Sequence, residues 1–132
     1  MSVAHRMKVR VYYEDTDLAG IVYYANYLKF IERGRTEYVR EIGLDQTRLK
    51  VEQGIVFAVR RVEADYVAPA KFDDVLDVVT TVERASGVRL VMRQAVERDG
   101  AVLFEALVTL VAMSETGAPV RLPAELRQAF AG

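Results

Sequence analysis

The stretch Glu14-Asp15-Thr16-Asp17-Leu18-Ala19-Gly20-Ile21-Val22-Tyr23-Tyr24-Ala25-Asn26-Tyr27 decides how the chain is read. It sets carboxylates, a glycine turn and the first residues of an amphipathic helix side by side. Before it, Met7, Val9, Val11 and Tyr13 alternate with Lys8, Arg10 and Tyr12, which predicts a half-buried strand over Met7 to Tyr13. After it the period changes. Tyr24, Tyr27, Leu28, Ile31, Tyr38 and Ile42 fall at helical spacing, and Gly43 stands where a helix stop is expected. A helix N-terminus points unpaired amides and partial positive charge at whatever docks there. A carbonyl held between those amides and a carboxylate would be polarised from one side and attacked, or met by activated water, from the other. That is hydrolase chemistry.

Downstream, Gly34 lies in mid-helix, where glycine costs roughly 1 kcal/mol against alanine. The expected reason is a close approach of the helix to a sheet. Asp45 to Gln53 predicts a short second helix closed by Gly54. Strands are then predicted over Ile55 to Val67, Asp74 to Arg84, Val88 to Arg98 and Ala101 to Met113, with Asp99-Gly100 as a hairpin turn. A turn of helix is expected at Ala124 to Phe130. Consecutive strands with short links most simply pair antiparallel. The expectation is an α+β fold, one long helix packed on a curled antiparallel sheet of about five strands, as a single domain over residues 1–132. Apolar residues on both alternations of the strands suggest that the second sheet face is covered by another subunit.

The composition narrows the chemistry. A chain of 132 residues without cysteine has no disulfide, thiolate metal site or cysteine nucleophile. The only histidine is His5, in an expected fraying terminus, so acid–base work falls to carboxylates, tyrosines or lysines. Eighteen basic residues are mixed with nineteen acidic ones, which gives no stripe for nucleic acid or an anionic membrane. No signal pattern or bilayer-length apolar run is present, so a cytoplasmic protein is expected. The carboxylates lack the repeated spacing of a calcium loop, and no metal or cofactor is expected.

Several blocks together carry a family resemblance. They are Val11-Tyr12-Tyr13-Glu14-Asp15-Thr16-Asp17, Gly20-Ile21-Val22-Tyr23, Asn26-Tyr27-Leu28 and Arg35-Thr36-Glu37, supported by Tyr66, Ala68-Pro69-Ala70, Asp73-Asp74 and Glu105-Ala106. The order of elements, with a D-x-D-x-x-G loop before the helix, resembles the hotdog fold. In particular it resembles acyl-CoA thioesterases related to hydroxybenzoyl-CoA thioesterase, in the YbgC-like branch associated with the Tol-Pal envelope system. The resemblance implies a thioester hydrolase with Asp17 as nucleophile or general base, and with the amide at the Tyr24 end of the helix bonding the thioester oxygen. It also implies active sites at dimer interfaces, with homodimers or homotetramers. Many YbgC-like sequences carry histidine where this chain has Tyr24, so a histidine-assisted mechanism is excluded at that position.

Each residue also has a plainer reading. Asp17 suits a turn, because aspartate side chains bond their own backbone in such loops. Glu14 and Asp15 are expected to shape or solvate the loop, Gly20 to serve a tight approach into the helix, and Asn26 to cap or brace it. Glu37 lies roughly 20 Å along the axis from Tyr24 and suits a structural pair. Arg84, Ser86 and Arg89 occupy what resembles the family's nucleotide-side strand link, and Val59, with Phe57, is expected along the acyl or pantetheine path. The expected reaction takes acyl-CoA and water to a carboxylic acid and CoA; acyl carrier protein is the other possible carrier. A hotdog dehydratase would need a different carboxylate or histidine arrangement. The rival outside enzymology is a hotdog scaffold that binds acyl carrier protein or envelope-biogenesis partners.

Overall fold

A computed structural model describes residues 4–129. Strand β1 is His5–Arg10; helices α1 and α2 are Asn26–Glu41 and Gln46–Gln53. Strands β2 to β5 follow as Ile55–Tyr66, Val75–Ser86, Arg89–Arg98 and Ala101–Ser114, and helix α3 is Ala124–Ala129. Phe130, the expected end of the last helix, lies outside the described residues.

The strands form one sheet in the order β1-β3-β4-β5-β2, with every neighbouring pair antiparallel. Bulges at Val59/Arg61, Val82/Arg84 and Val96/Glu97 bend the strands, and the sheet curls around α1. The result is the expected α+β hotdog arrangement. Asp99 and Gly100 both have positive φ, 52° and 83°, as a two-residue hairpin turn demands. One expected pairing fails. β2 and β3 are consecutive but lie on different sides of the sheet, because the chain from Val67 to Asp74 crosses under the helix N-terminus. That crossing is pinned where Val67 N–H and Ala68 N–H donate to Leu103 O, at 2.8 and 3.0 Å, and Ala70 N–H donates to the Tyr27 hydroxyl at 3.1 Å.

The first strand is shifted from its expected place. Its ladder stops at Arg10, and Tyr13–Asp15 turn into a short 3-10 segment because the buried Asp15 carboxylate accepts Tyr12 N–H at 2.9 Å. Tyr13 is therefore not on the core face; it is exposed and stacks on Phe72 at 4.3 Å. His5 does not fray: it pairs with Thr80, lies 5.6 Å from the Tyr38 ring and meets Glu41 at 3.2 Å.

Helix α1 starts two residues later than expected, and its buried stripe is Tyr27, Phe30, Ile31, Gly34, Tyr38 and Val39. Tyr24, Leu28 and Ile42 are exposed instead, because the sheet covers the other flank of the same helix. Gly34 does serve a close approach. A Cβ there would sit 2.6 Å from Val78 Cγ1 and 3.2 Å from Thr80 Oγ1. Helix α2 follows its expected form, with the Asp45 carboxylate accepting Arg48 N–H at 3.1 Å and Gly54 left-handed at φ 65°.

Candidate active site

The loop between β1 and α1 is built on the carbonyl of Asp15. That oxygen accepts Tyr23 N–H at 2.9 Å and the buried Asn26 side chain at 3.0 Å, so both ends of the loop hang on one atom. Asn26 thus braces the loop, as one of its expected roles. Within this frame Thr16 bridges Val22, and Asp17 N–H donates to Ile21 O at 3.0 Å, which makes residues 16–22 a small hairpin. At its tip Asp17 O accepts Gly20 N–H at 3.0 Å, and Asp17 Oδ1 accepts Ala19 N–H at 2.9 Å.

The turn role and a chemical role for Asp17 are therefore compatible. One carboxylate oxygen is tied to the turn, which fixes the group's orientation. Among the described residues the other oxygen has no hydrogen-bond partner, and the side chain is exposed. Gly20 is needed for its φ of 79°, not for closeness: a Cβ there would meet nothing within 4 Å. The expected tight approach is absent.

Tyr24 ends this loop. Tyr24 and Ala25 form a turn closed by Asn26 N–H donating to Tyr23 O at 2.8 Å, and Ala25, the cap of α1, receives no side-chain bond. Among the described residues the N–H groups of Tyr24 and Ala25 have no acceptor. Ala25 N–H is the open amide of the helix cap, and Tyr24 N–H precedes it in the turn that leads into α1. The Tyr24 carbonyl is fixed by the Tyr66 hydroxyl, which donates to it at 2.9 Å. Tyr66 is held in turn by Phe104 and Tyr27, with ring centroids at 5.0 and 5.6 Å. Sequence reasoning placed Tyr66 only within a resemblance; its positioning role depends on the β2–β5 register, which sets it opposite Phe104.

Electrostatics tie the loop to the tyrosines. The Tyr23 hydroxyl is pushed above the ordinary phenol range by the neighbouring Tyr24 phenol, whose ring centroid lies 4.9 Å away, with burial and the Asp17 carboxylate adding to the effect. Burial raises Tyr27, and raises Tyr66 with help from Tyr24 and Tyr27. These phenols are proton-bearing, so they donate hydrogen bonds and do not act as bases near neutrality.

A family model of the thioesterase-like superfamily matches residues 11–130. The chain belongs to that superfamily. It is 44% identical over 124 residues to the acyl-CoA thioesterase YbgC of Haemophilus influenzae, a match spanning 92% of this chain and 90% of the relative. A crystal structure of a probable thioesterase from Bartonella henselae is 37% identical, with a TM-score of 0.86 over 92% of this chain and 100% of that one. A crystal structure of a mutant 4-hydroxybenzoyl CoA thioesterase complexed with 4-hydroxybenzoyl CoA is 26% identical. Its TM-score is 0.90, over 96% of this chain and 97% of that one.

In this thioesterase-like chain Asp17, Gly20 and Tyr24 share one loop, whereas Arg84, Ser86 and Arg89 do not join them. The last three surround the β3–β4 hairpin, and eleven strand steps separate Ser86 from Val75 beside the loop, roughly 35 Å. Arg84 and Arg89 are exposed and have no ion pair among the described residues. Val59 rims a separate cavity of about 280 Å³ between the helices and β2, β4 and β5, together with Phe57. Glu37 pairs with Arg40, the structural role expected of it.

Sequence reasoning missed a buried polar network under α1. Gln94 donates to Ile31 O at 2.8 Å and Thr80 Oγ1 at 2.9 Å, and accepts from Arg35 at 3.0 Å. The available signal was an arginine at position 35, four residues after Ile31 on an otherwise apolar stripe.

Proposed function

We propose that this chain, as one domain over residues 1–132, hydrolyses acyl-CoA thioesters to a free carboxylic acid and CoA. The observation that carries the reading is the pairing, on one braced loop, of an oriented carboxylate with one free oxygen and two amides without acceptors where the loop enters α1. The thioester carbonyl oxygen is bound by Tyr24 N–H, with Ala25 N–H beside it, and the carbonyl carbon becomes electrophilic. The free oxygen of Asp17 either attacks that carbon, giving a mixed anhydride that water then opens, or takes a proton from the attacking water. Either way the thiolate of CoA leaves and is protonated. A backbone donor at the developing oxyanion is typically worth about 3 kcal/mol. Because the donors are main-chain groups, the Tyr24 side chain is not required for them.

The relatives' names support CoA as the carrier. A homodimer completes the reading. β2 is an edge strand of twelve residues, and its stretch from Val59 to Tyr66 is exposed. A long uncovered edge is a template for pairing with another strand. Antiparallel pairing of two β2 strands would set the Tyr66 end of one chain beside the Ile55 end of its partner. The partner's β3–β4 hairpin, with its Arg84, Ser86 and Arg89, would then approach the Asp17 loop and offer positive charge to CoA phosphates. No helix among the described residues is long and apolar enough to cross a membrane. A cytoplasmic location agrees with that and is part of the proposal.

The test is thiol release from short, long and aromatic acyl-CoAs by wild type and Asp17→Asn. Asparagine keeps the acceptor for Ala19 N–H, so the turn is retained. A fall of at least about 100-fold, near 2.7 kcal/mol of barrier, is expected. Equal rates from a folded variant would reduce Asp17 to a turn residue. No turnover of CoA or carrier-protein thioesters by either protein would favour a scaffold that binds acyl carrier protein or envelope partners.

A further inference from the structure

Arg35 is a half-buried cation without a counter-anion. It stands in the third turn of α1, on the flank that faces the cavity of about 280 Å³. The rest of the wall is largely apolar: Val39, Phe57, Leu90, Met92, Leu110 and Leu126. Such a volume is at the small end of ligand cavities and suits one short chain or one ring.

The guanidinium makes a single hydrogen bond, to Gln94 Oε1 at 3.0 Å, and that partner is neutral. Among the described residues no carboxylate lies within ion-pair distance of it. Glu32, one turn earlier on the cavity rim, instead accepts the Thr36 hydroxyl at 2.6 Å. Burial lowers the Arg35 pKa, and the Glu32 charge only partly offsets it. The group nevertheless stays charged, as arginine does in proteins. None of its nitrogens is both sealed from solvent and without a partner, so its spare donors are accessible, and Arg35 is one of the residues that line the cavity. A partly desolvated cation that is paired with no anion is costly. A ligand that brings a carboxylate removes that cost and can bind the planar fork in two places. Gln94, fixed by Ile31 and Thr80, holds the fork at the wall.

We propose that this chamber binds a short organic carboxylate, with its apolar body against β2, β4 and β5 and its carboxylate on Arg35. The site does not depend on thioester hydrolysis. Two sources share this chemistry: a free short-chain acid, including a product of the reaction proposed above, or the distal carboxylate of a dicarboxylic acyl group. The second source alone rests on that proposed reaction.

Calorimetric titration with hexanoate and with 1-hexanol separates charge recognition from apolar filling. Wild type should bind hexanoate and discriminate against hexanol by about tenfold or more, the range of one charge-assisted hydrogen bond. Arg35→Gln should abolish that discrimination, and Arg35→Lys should restore part of it. If Arg35→Gln fails to fold, the two ligands on wild type still decide. Equal binding of hexanoate and hexanol, or no binding of either, would overturn the proposal and leave Arg35 as a strut for Gln94. With the site established, kcat/KM for the mono-CoA thioester of adipic acid is compared with that for hexanoyl-CoA. A ratio well above one that collapses in Arg35→Gln assigns the site to a distal acyl carboxylate. A ratio near one assigns it to a free acid.

Discussion

At Gly34 two opposing terms act on one hydrogen atom. Any larger side chain would gain helix propensity, about 1 kcal/mol for alanine. It would also drive a Cβ into Val78 Cγ1 at 2.6 Å, and Val78 is fully buried on β3, so it has no room to turn away. Overpacking of this kind typically costs about 1–3 kcal/mol. Gly34→Val adds β-branching inside a helix, which compounds the clash. We expect it to lower the urea-unfolding free energy by about 3 kcal/mol, and Val78→Ala in the same chain should recover part of the loss. A neutral Gly34→Val would mean that α1 can lift from the sheet. Gly34 was legible in the sequence because a glycine in mid-helix needs a reason. Arg35 beside it was not, since a single arginine on an apolar stripe does not reveal what it faces. Asp17 stood between, as its turn bond to Ala19 and its free oxygen follow from the same short-range geometry.

Among the elements, the segment linking β2 to β3 carries more than its lack of regular structure suggests. It bridges Ile21 through Lys71, so it supports the hairpin that bears Asp17. Its anchor is Asp74, whose carboxylate accepts Lys71 N–H at 2.8 Å and Arg98 at 2.7 Å. Burial pushes the Asp74 carboxyl upward, but the Lys71 amide and Arg98 outweigh this and hold it below the usual aspartate value. With a folded pKa below the unfolded one, the contribution is complete above the unfolded value, near 4, and fades as pH falls through the folded value. Asp74→Asn should therefore melt at a lower temperature than wild type at pH 7, and the gap should close below about pH 4. Melting curves recorded from pH 7 to below 3 check this; a gap unchanged across the range would remove the ionised carboxylate from the account. The sequence marked this stretch as a link through Pro69, but not that it crosses to the far side of the sheet, because propensity carries no information on which strands become neighbours.

For the whole molecule the decisive feature is the uncovered side of the sheet at β2. Phe57, Val59, Val62, Ala64 and Tyr66 stand opposite Ala112, Leu110, Val108, Ala106 and Phe104, all inward-facing core residues of β5. Helix α1 packs chiefly on β3, β1 and β4 and α2 packs on β2, but the stretch of β2 from Val59 to Tyr66 stays exposed. In the proposed homodimer, Val62→Lys places a charge in the middle of that stretch. The variant should elute as a monomer in size-exclusion chromatography with light scattering, while the wild type elutes as a dimer or tetramer. It should also lose thiol release, if the partner's hairpin arginines are needed at the Asp17 loop. A monomeric wild type with full turnover would place the whole site within one chain.

Local features were legible from the order of residues alone: the change of period at the loop before α1, the helix stop at Gly54, the Asp99-Gly100 turn and the D-x-D-x-x-G loop. Each depends on residues only a few positions apart, where spacing and backbone preference are enough. Tertiary structure alone decided the crossing of β2 to the far side, the hold of Tyr66 on the Tyr24 carbonyl, the separation of Arg84 and Arg89 from Asp17, and the chamber beside Arg35. Those depend on which distant residues become neighbours, and strand order is settled by burial and closure of the whole core, to which no single stretch of the chain has access.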